Sequence, residues 1–139
     1  MKLLLTLATM FLLCGAAHAA PAATGAYFDQ AGRSDVLSGG VRMIPIQTDK
    51  GVFHVWTKRT GNNPTIKVLL LHGGPGATHE YLEAFDSYFP GANIEYYYYD
   101  QLGSAYSDQP DDPALINNLP RYVEEVEQSR PTTITPKPC

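Results

Sequence analysis

The stretch Ile66-Lys67-Val68-Leu69-Leu70-Leu71-His72-Gly73-Gly74-Pro75-Gly76 decides how the rest of the chain reads. Its first part is nearly continuous apolar residue with one lysine. Such a run, short and without alternation, suits a strand buried on both faces of a mainly parallel sheet. The glycine-rich segment then falls where that strand leaves the sheet, and ligands of open α/β sheets bind outside the carboxyl ends of strands. Glycines let the backbone approach a ligand and turn N–H groups outward, while Pro75 fixes one φ. Donors aimed at a developing oxyanion are worth about 3–4 kcal/mol each. A tight Gly-Pro turn without chemistry has the same composition. The strand before it and the helix expected after it favour the donor loop.

Reading outward, Thr78 to Phe89 places Tyr81, Leu82, Phe85 and Phe89 on one stripe of an amphipathic α-helix, which Pro90-Gly91 stops. Asn93 to Tyr99 is a further strand, and period-two alternation buries two of its four tyrosines Tyr96–Tyr99 as core. After Asp100-Gln101-Leu102-Gly103-Ser104 comes a polar loop to about Asn118. A helix follows from Leu119 to Arg130, with Pro120 in its first turn. Leu119, Val123 and Val126 form its apolar face, opposite a solvated Glu124, Glu125 and Glu127. Upstream, Val41, Met43, Ile44 and Ile46 make a strand that Pro45 assigns to an edge. Thr48-Asp49-Lys50 joins it as a hairpin to the alternating run Val52–Arg59. A hairpin followed by β-α-β-α predicts an α/β sheet with a parallel crossover.

The chain has 139 residues, a net charge of -4 and 44% hydrophobic residues, so it holds one domain at most and is too apolar for wholesale disorder. Mild acidity argues against a nucleic-acid partner. Nucleotide and zinc motifs are absent, and no cofactor or metal is expected. Lys2, the apolar run Leu3 to Cys14 and the small residues Ala17-His18-Ala19 read as a secretory signal over 1–19, too short for a stable membrane span. Export to the periplasm or medium is therefore expected. Lipidation at Cys14 is the lesser option, because Leu13 is bulkier than a lipobox favours. Residues 20–37 read as a flexible leader, 38–130 as the domain, and 131–139 as an unrelated tail whose three prolines should not continue a helix.

Two segments carry a resemblance. Leu69-Leu70-Leu71-His72-Gly73-Gly74-Pro75-Gly76 and Tyr98-Tyr99-Asp100-Gln101-Leu102-Gly103-Ser104-Ala105-Tyr106-Ser107 resemble the proline iminopeptidases, serine peptidases of the α/β-hydrolase fold. Arg121-Tyr122-Val123-Glu124-Glu125-Val126-Glu127 is similar to the segment that follows in that family. The resemblance, over about residues 40 to 129, implies release of N-terminal residues, typically proline, from peptides. It also implies that Gly74, with Gly73 beside it, lends a backbone N–H to an oxyanion hole. His72, Pro75, Gly76, Asp100, Gln101 and Gly103 would shape the site. The second motif commonly has Arg where Leu102 stands and Gly where Ala105 stands; a side chain at 105 adds strain if the position needs positive φ.

A nucleophile elbow needs G-x-S-x-G, and none of Ser34, Ser38, Ser87, Ser104, Ser107 and Ser129 lies in one. None of the triad is thus identified, and the resemblance stops near Ser129, before the strand that should deliver the serine. The expectation is the N-terminal portion of an α/β-hydrolase sheet, truncated before the elbow and inactive by itself, with a peptide substrate in the intact relative. An improvised Ser104–His72–Asp100 set is a minor alternative. His54 and His79 lack metal-ligand spacing and read as solvated or core residues. Two other readings stay open: a non-catalytic secreted module binding small acyl or peptide ligands, and a fragment of an esterase or epoxide-hydrolase relative. Lacking a following strand, the apolar run would be an uncovered edge that invites self-association.

Overall fold

The computed structural model describes residues 24–29, 40–74 and 76–133. The expected signal segment, most of the leader and the end of the tail lie outside them. A one-turn helix α1 (Thr24–Tyr27) precedes β1 (Val41–Thr48), β2 (Gly51–Thr60) and β3 (Lys67–Leu69). A 3-10 helix (His79–Ser87), β4 (Glu95–Tyr99), α2 (Pro113–Ile116) and α3 (Leu119–Thr133) follow. The sheet has the order β1-β2-β4-β3. Its first two pairings are antiparallel, and β3 runs parallel to β4 across the expected crossover. Among the described residues this is part of an α/β-hydrolase fold.

β1 and β2 pair from Val41↔Lys58 to Thr48↔Gly51, which leaves Asp49 and Lys50 as the hairpin turn. Pro45 lies on the edge strand, where its missing donor breaks no ladder. β4 pairs with β2 only from Thr57 to Thr60. Beyond that point the chain after β4 takes over: Asp100 N–H donates to Trp56 O, Ser107 Oγ accepts from Trp56 N–H, and Asp108 bonds both backbone groups of His54. The Asp100–Asp108 turn is thus held to the sheet as though it were a strand.

Apolar side chains cover both faces. Ile44, Ile46, Val55, Tyr99, Leu102 and Leu115 form one cluster, with Val126 of α3 packed on it; Leu70, Tyr96 and Tyr98 form the other, with Leu82 and Phe89. All four tyrosines of β4 are therefore buried, not two, because the strand is central and covered on each side. β3 is shorter than expected and half-buried, since it lies at an edge of the described sheet, and Ile66 and Leu71 are exposed.

Four further expectations are corrected. The Thr78–Phe89 segment is a 3-10 helix. Its first residue is tied to Asp100 and its Asp86 to Tyr96 and Tyr98. Both ties run to side chains outside the segment, so its ends are fixed by the neighbouring strand and turn. The buried face of α3 is Arg121, Tyr122, Glu125 and Ser129, while Leu119 and Val123 are exposed. α3 also runs past Pro131 to Thr133; in a last turn, a proline forfeits a single ladder bond. The polar loop before α3 contains α2, which Asp112 caps by accepting from Ala114 N–H at 2.9 Å. Within the leader, Tyr27 is buried and donates to Ile94 O at 2.7 Å. Its ring fills the space over Gly61, whose φ is +92°.

Candidate functional site

His72 leaves β3 buried, and its Nε2 accepts from Gln101 N–H at 3.0 Å. That bond requires an unprotonated Nε2, so the neutral ring carries its proton on Nδ1, which lies 3.4 Å from Gly73 O. The first loop is thereby tied to the Asp100–Ser107 turn. A second tie is made by His79 at the far end of the same loop. Asp100 Oδ1 accepts from His79 N–H at 3.0 Å and pairs with His79 Nδ1 at 2.8 Å. The imidazole stacks on Trp56 with centroids 4.6 Å apart. Both partners are almost fully buried. Asp100 also accepts from Tyr106 N–H through Oδ2, and its carbonyl receives the Ser107 hydroxyl at 2.6 Å.

Between these ties stand the glycines. Gly74 and Gly76 have φ of +63° and +83°, and Gly74 O closes a turn by accepting from Ala77 N–H. Pro75 lies outside the described residues. Gly73 N–H donates to the Tyr81 hydroxyl at 2.8 Å, whereas Gly74 N–H has no acceptor among the described residues. Gly74 lines a cavity of about 390 Å³ with Gln101, Asn117, Asn118, Leu119 and Tyr122. Gln101 Oε1 is buried without a hydrogen-bond partner. The pocket is thus lined by a glycine of the first loop, three amide-bearing residues, a leucine and a tyrosine.

The turn behind the pocket rests on α3. Glu125, fully buried, accepts from the Tyr99 hydroxyl, from Leu102 N–H at 3.0 Å and from Arg121 Nη1. Burial and the Glu125 charge push the Tyr99 phenol far above its ordinary value. Gly103 has φ +83°, and a Cβ there would meet Ile116 Cγ2 at 2.6 Å, so a side chain would be strained and would force Ile116 of α2 to move. Leu102 is fully buried in the apolar cluster.

Of the residues picked out in sequence, His72, Gly74, Asp100 and Gln101 come together. Ser104, His72 and Asp100 do not form a relay: Asp100 pairs with His79, and His72 Nε2 is engaged by Gln101. His79 is a core histidine with a carboxylate partner, and Glu125 is not solvated. Tyr81, read as part of an apolar helix stripe, and Tyr122, Asn117 and Asn118 are not picked out as site residues by the sequence. Only the i,i+4 spacing of Arg121 and Glu125 signalled that α3 carries an ion pair. Among the described residues no group of His, Cys, Asp or Glu is placed to hold a metal ion, and no helix is long and apolar enough to cross a membrane.

Comparison with known proteins bears on this geometry. Over 88 residues the chain is 65% identical to the proline iminopeptidase of Chitinophaga pinensis and 62% identical to that of Elizabethkingia meningoseptica. This part of the chain is homologous to proline iminopeptidases. Each match covers 63% of this chain and 29% of the relative, so the chain spans under a third of the length of these curated relatives. No family model matches. Among solved structures, the proline iminopeptidase of Mycobacterium smegmatis superposes with a TM-score of 0.56 at 24% identity, over 66% of this chain and 31% of that one. A proline iminopeptidase-related protein of Thermus thermophilus gives 0.54 at 22% identity, over 67% and 32%. At these identities the structural likeness speaks for the fold.

Proposed function

We propose that this chain is the front part of an exported proline iminopeptidase-type serine hydrolase that releases N-terminal prolyl residues from peptides. In that role Gly74 N–H stabilises the oxyanion, and the Asp100–Ser107 turn supports the loop that presents it. The observation that carries the reading is the state of the two loop amides: Gly73 N–H is held by Tyr81, while Gly74, which lines the cavity, has an N–H with no acceptor among the described residues. Of the residues that line the cavity, Gly74 and Gln101 come from the two segments on which the family resemblance rests. Gly73 acts by holding the loop, and Gly74 is the group that touches substrate.

An oxyanion hole without an attacking group does not transfer an acyl chain. The sequence has no G-x-S-x-G, Ser104 lacks a base, and the 139-residue chain is inactive on this reading. Prolyl-arylamide assays should show no turnover above buffer. Turnover abolished by Ser104→Ala would overturn the assignment. The DNA after the codon for Arg130, read in three frames, should encode G-x-S-x-G followed by an acidic residue and a histidine. Export is tested by the mass of the N-terminus after expression with a Sec system, where cleavage after Ala19 is expected. The partners on this reading are a peptide substrate and, at the bare edge of β3, another strand.

A further inference from the structure

The buried His72 ring bridges the glycine loop and the turn after β4. Its Nε2 accepts from Gln101 N–H at 3.0 Å, and its Nδ1 lies 3.4 Å from Gly73 O. A backbone N–H can only donate, so the bond to Gln101 exists only while Nε2 keeps its lone pair. A second proton on the ring would set two N–H groups face to face at that separation. The other tie of the loop behaves in the opposite way. His79 Nδ1 meets Asp100 Oδ1 at 2.8 Å, a contact that a second proton on that ring leaves intact.

The neighbours of His72 leave it to act by itself. Its ring stacks on Tyr99, with centroids 6.2 Å apart. The Tyr99 hydroxyl bonds Glu125 of α3, whose charge is met by Arg121. On the turn, Asp100 precedes Gln101 and is engaged by His79 of the 3-10 helix. Each of these carboxylates thus has its own partner, and among the described residues none pairs with His72. Two oxygens of the same turn, Gln101 Oε1 and Ser104 Oγ, are buried with no hydrogen-bond partner among the described residues. They are acceptors of the kind that a new ring N–H requires once the turn shifts.

We propose that His72 is a positioning residue for Gly74: its neutral ring locks the glycine loop to the turn, and its protonated ring releases the turn. The site is then set at neutral pH and loosened in acid. The direction follows from the atoms. The bond to Gln101 N–H is present where the ring is neutral and is lost as pH falls through the ring's titration, because the added proton occupies the accepting atom. Gly74 and Gln101 line the same cavity, so a released Gln101 alters the space that Gly74 borders. Gly74 also follows directly on Gly73, whose carbonyl lies beside the same ring. The consequence for acyl transfer rests on the oxyanion role proposed above for Gly74, whereas the coupling of ring to loop rests on the hydrogen bonds alone.

The test is a nitrogen-15 NMR titration of the full chain from about pH 8 to 5, the range in which histidine changes charge, with amide exchange on the same samples. At the upper end the His72 ring should carry its proton on Nδ1. As it takes up a second proton, the Gln101 amide should shift with the same midpoint, and the Gly73 and Gly74 amides with it. Protection of the Gln101 amide, corrected for the intrinsic pH dependence of exchange, should fall by about tenfold, the loss of one hydrogen bond of ordinary net strength. His72→Gln places a non-titrating acceptor at a similar reach, so Gln101 should then stay protected throughout. A ring with its proton on Nε2 at the upper end overturns the proposal, as does a Gln101 amide indifferent to the ring's titration. So does a ring that stays neutral across the whole range. A response that persists in the variant also overturns it, because Asp100 and His79 would then be its source. If the variant does not fold, the titration of the parent chain decides alone. Failure of the oxyanion reading in the assays above would leave this titration unchanged, so the two proposals fail separately.

Discussion

At φ +37°, Ala105 holds a backbone conformation that crowds its Cβ against the neighbouring carbonyl. Glycine has no such penalty. Ala105→Gly should therefore raise stability by up to about 1 kcal/mol, the strain relieved being partly offset by the greater freedom of an unfolded glycine. Urea denaturation at neutral pH measures it, and a lower midpoint would refute the account. His72 gives the opposite case. Replaced by Leu, it would leave Gln101 N–H without its acceptor at a partly buried position, a cost of about 1–3 kcal/mol. The Gln101 amide should then exchange faster than in the parent chain. The sequence showed that a side chain at 105 is strained if φ is positive. It could not show the sign of φ, which is set by the folding of the turn against α2 and β2. Nor could it choose between His72 and His79 as the partner of Asp100, since both flank the same glycines and only packing on Trp56 separates them.

Elements differed in how far their residues gave them away. β1, β2 and β4 were legible because a hairpin turn and period two are local properties. The 3-10 helix was not, because its geometry is imposed from outside: Asp86 Oδ1 receives the hydroxyls of both Tyr96 and Tyr98, two strand residues. Asp86→Ala should strand both phenols and cost about 1–3 kcal/mol for each donor left without a buried partner. Protection of the His79–Ser87 amides should fall with it, and an unchanged exchange pattern would show that the helix is held otherwise. α3 was placed correctly and oriented wrongly. A valine count favours the Leu119–Val123 side, yet the helix turns Glu125 inward because Tyr99, Leu102 N–H and Arg121 together satisfy the carboxylate. Removing it is correspondingly expensive. Glu125→Ala leaves the buried Arg121 uncompensated and should cost about 3–5 kcal/mol, enough to unfold a domain of this size at ordinary temperature.

Across the whole molecule the phenols share one property. Tyr27, Tyr96, Tyr98 and Tyr99 all have their ionisation raised, in each case first by burial. Neighbouring carboxylates add to it: Asp86 for Tyr96 and Tyr98, Glu125 for Tyr99, and Asp86 with Glu95 for Tyr27, which is pushed up to about 12. The fold thus holds these groups protonated where the unfolded chain releases them near pH 10. Stability from this source is complete below about pH 10 and declines as pH rises through 10 to 12 for Tyr27, and further for the other three. Because the four belong to both faces of the sheet and to α1, the loss should be global. Denaturant midpoints should hold from pH 7 to 9 and fall steeply from pH 10. Tyrosinate absorbance of these residues should appear with loss of the circular dichroism signal, not ahead of it. Tyr99→Phe keeps the ring while removing one ionisation, so it should flatten the alkaline decline at some cost to stability at neutral pH, where Glu125 loses a donor. An alkaline profile that Tyr99→Phe leaves as steep would mean that the buried phenols do not set the limit of the fold.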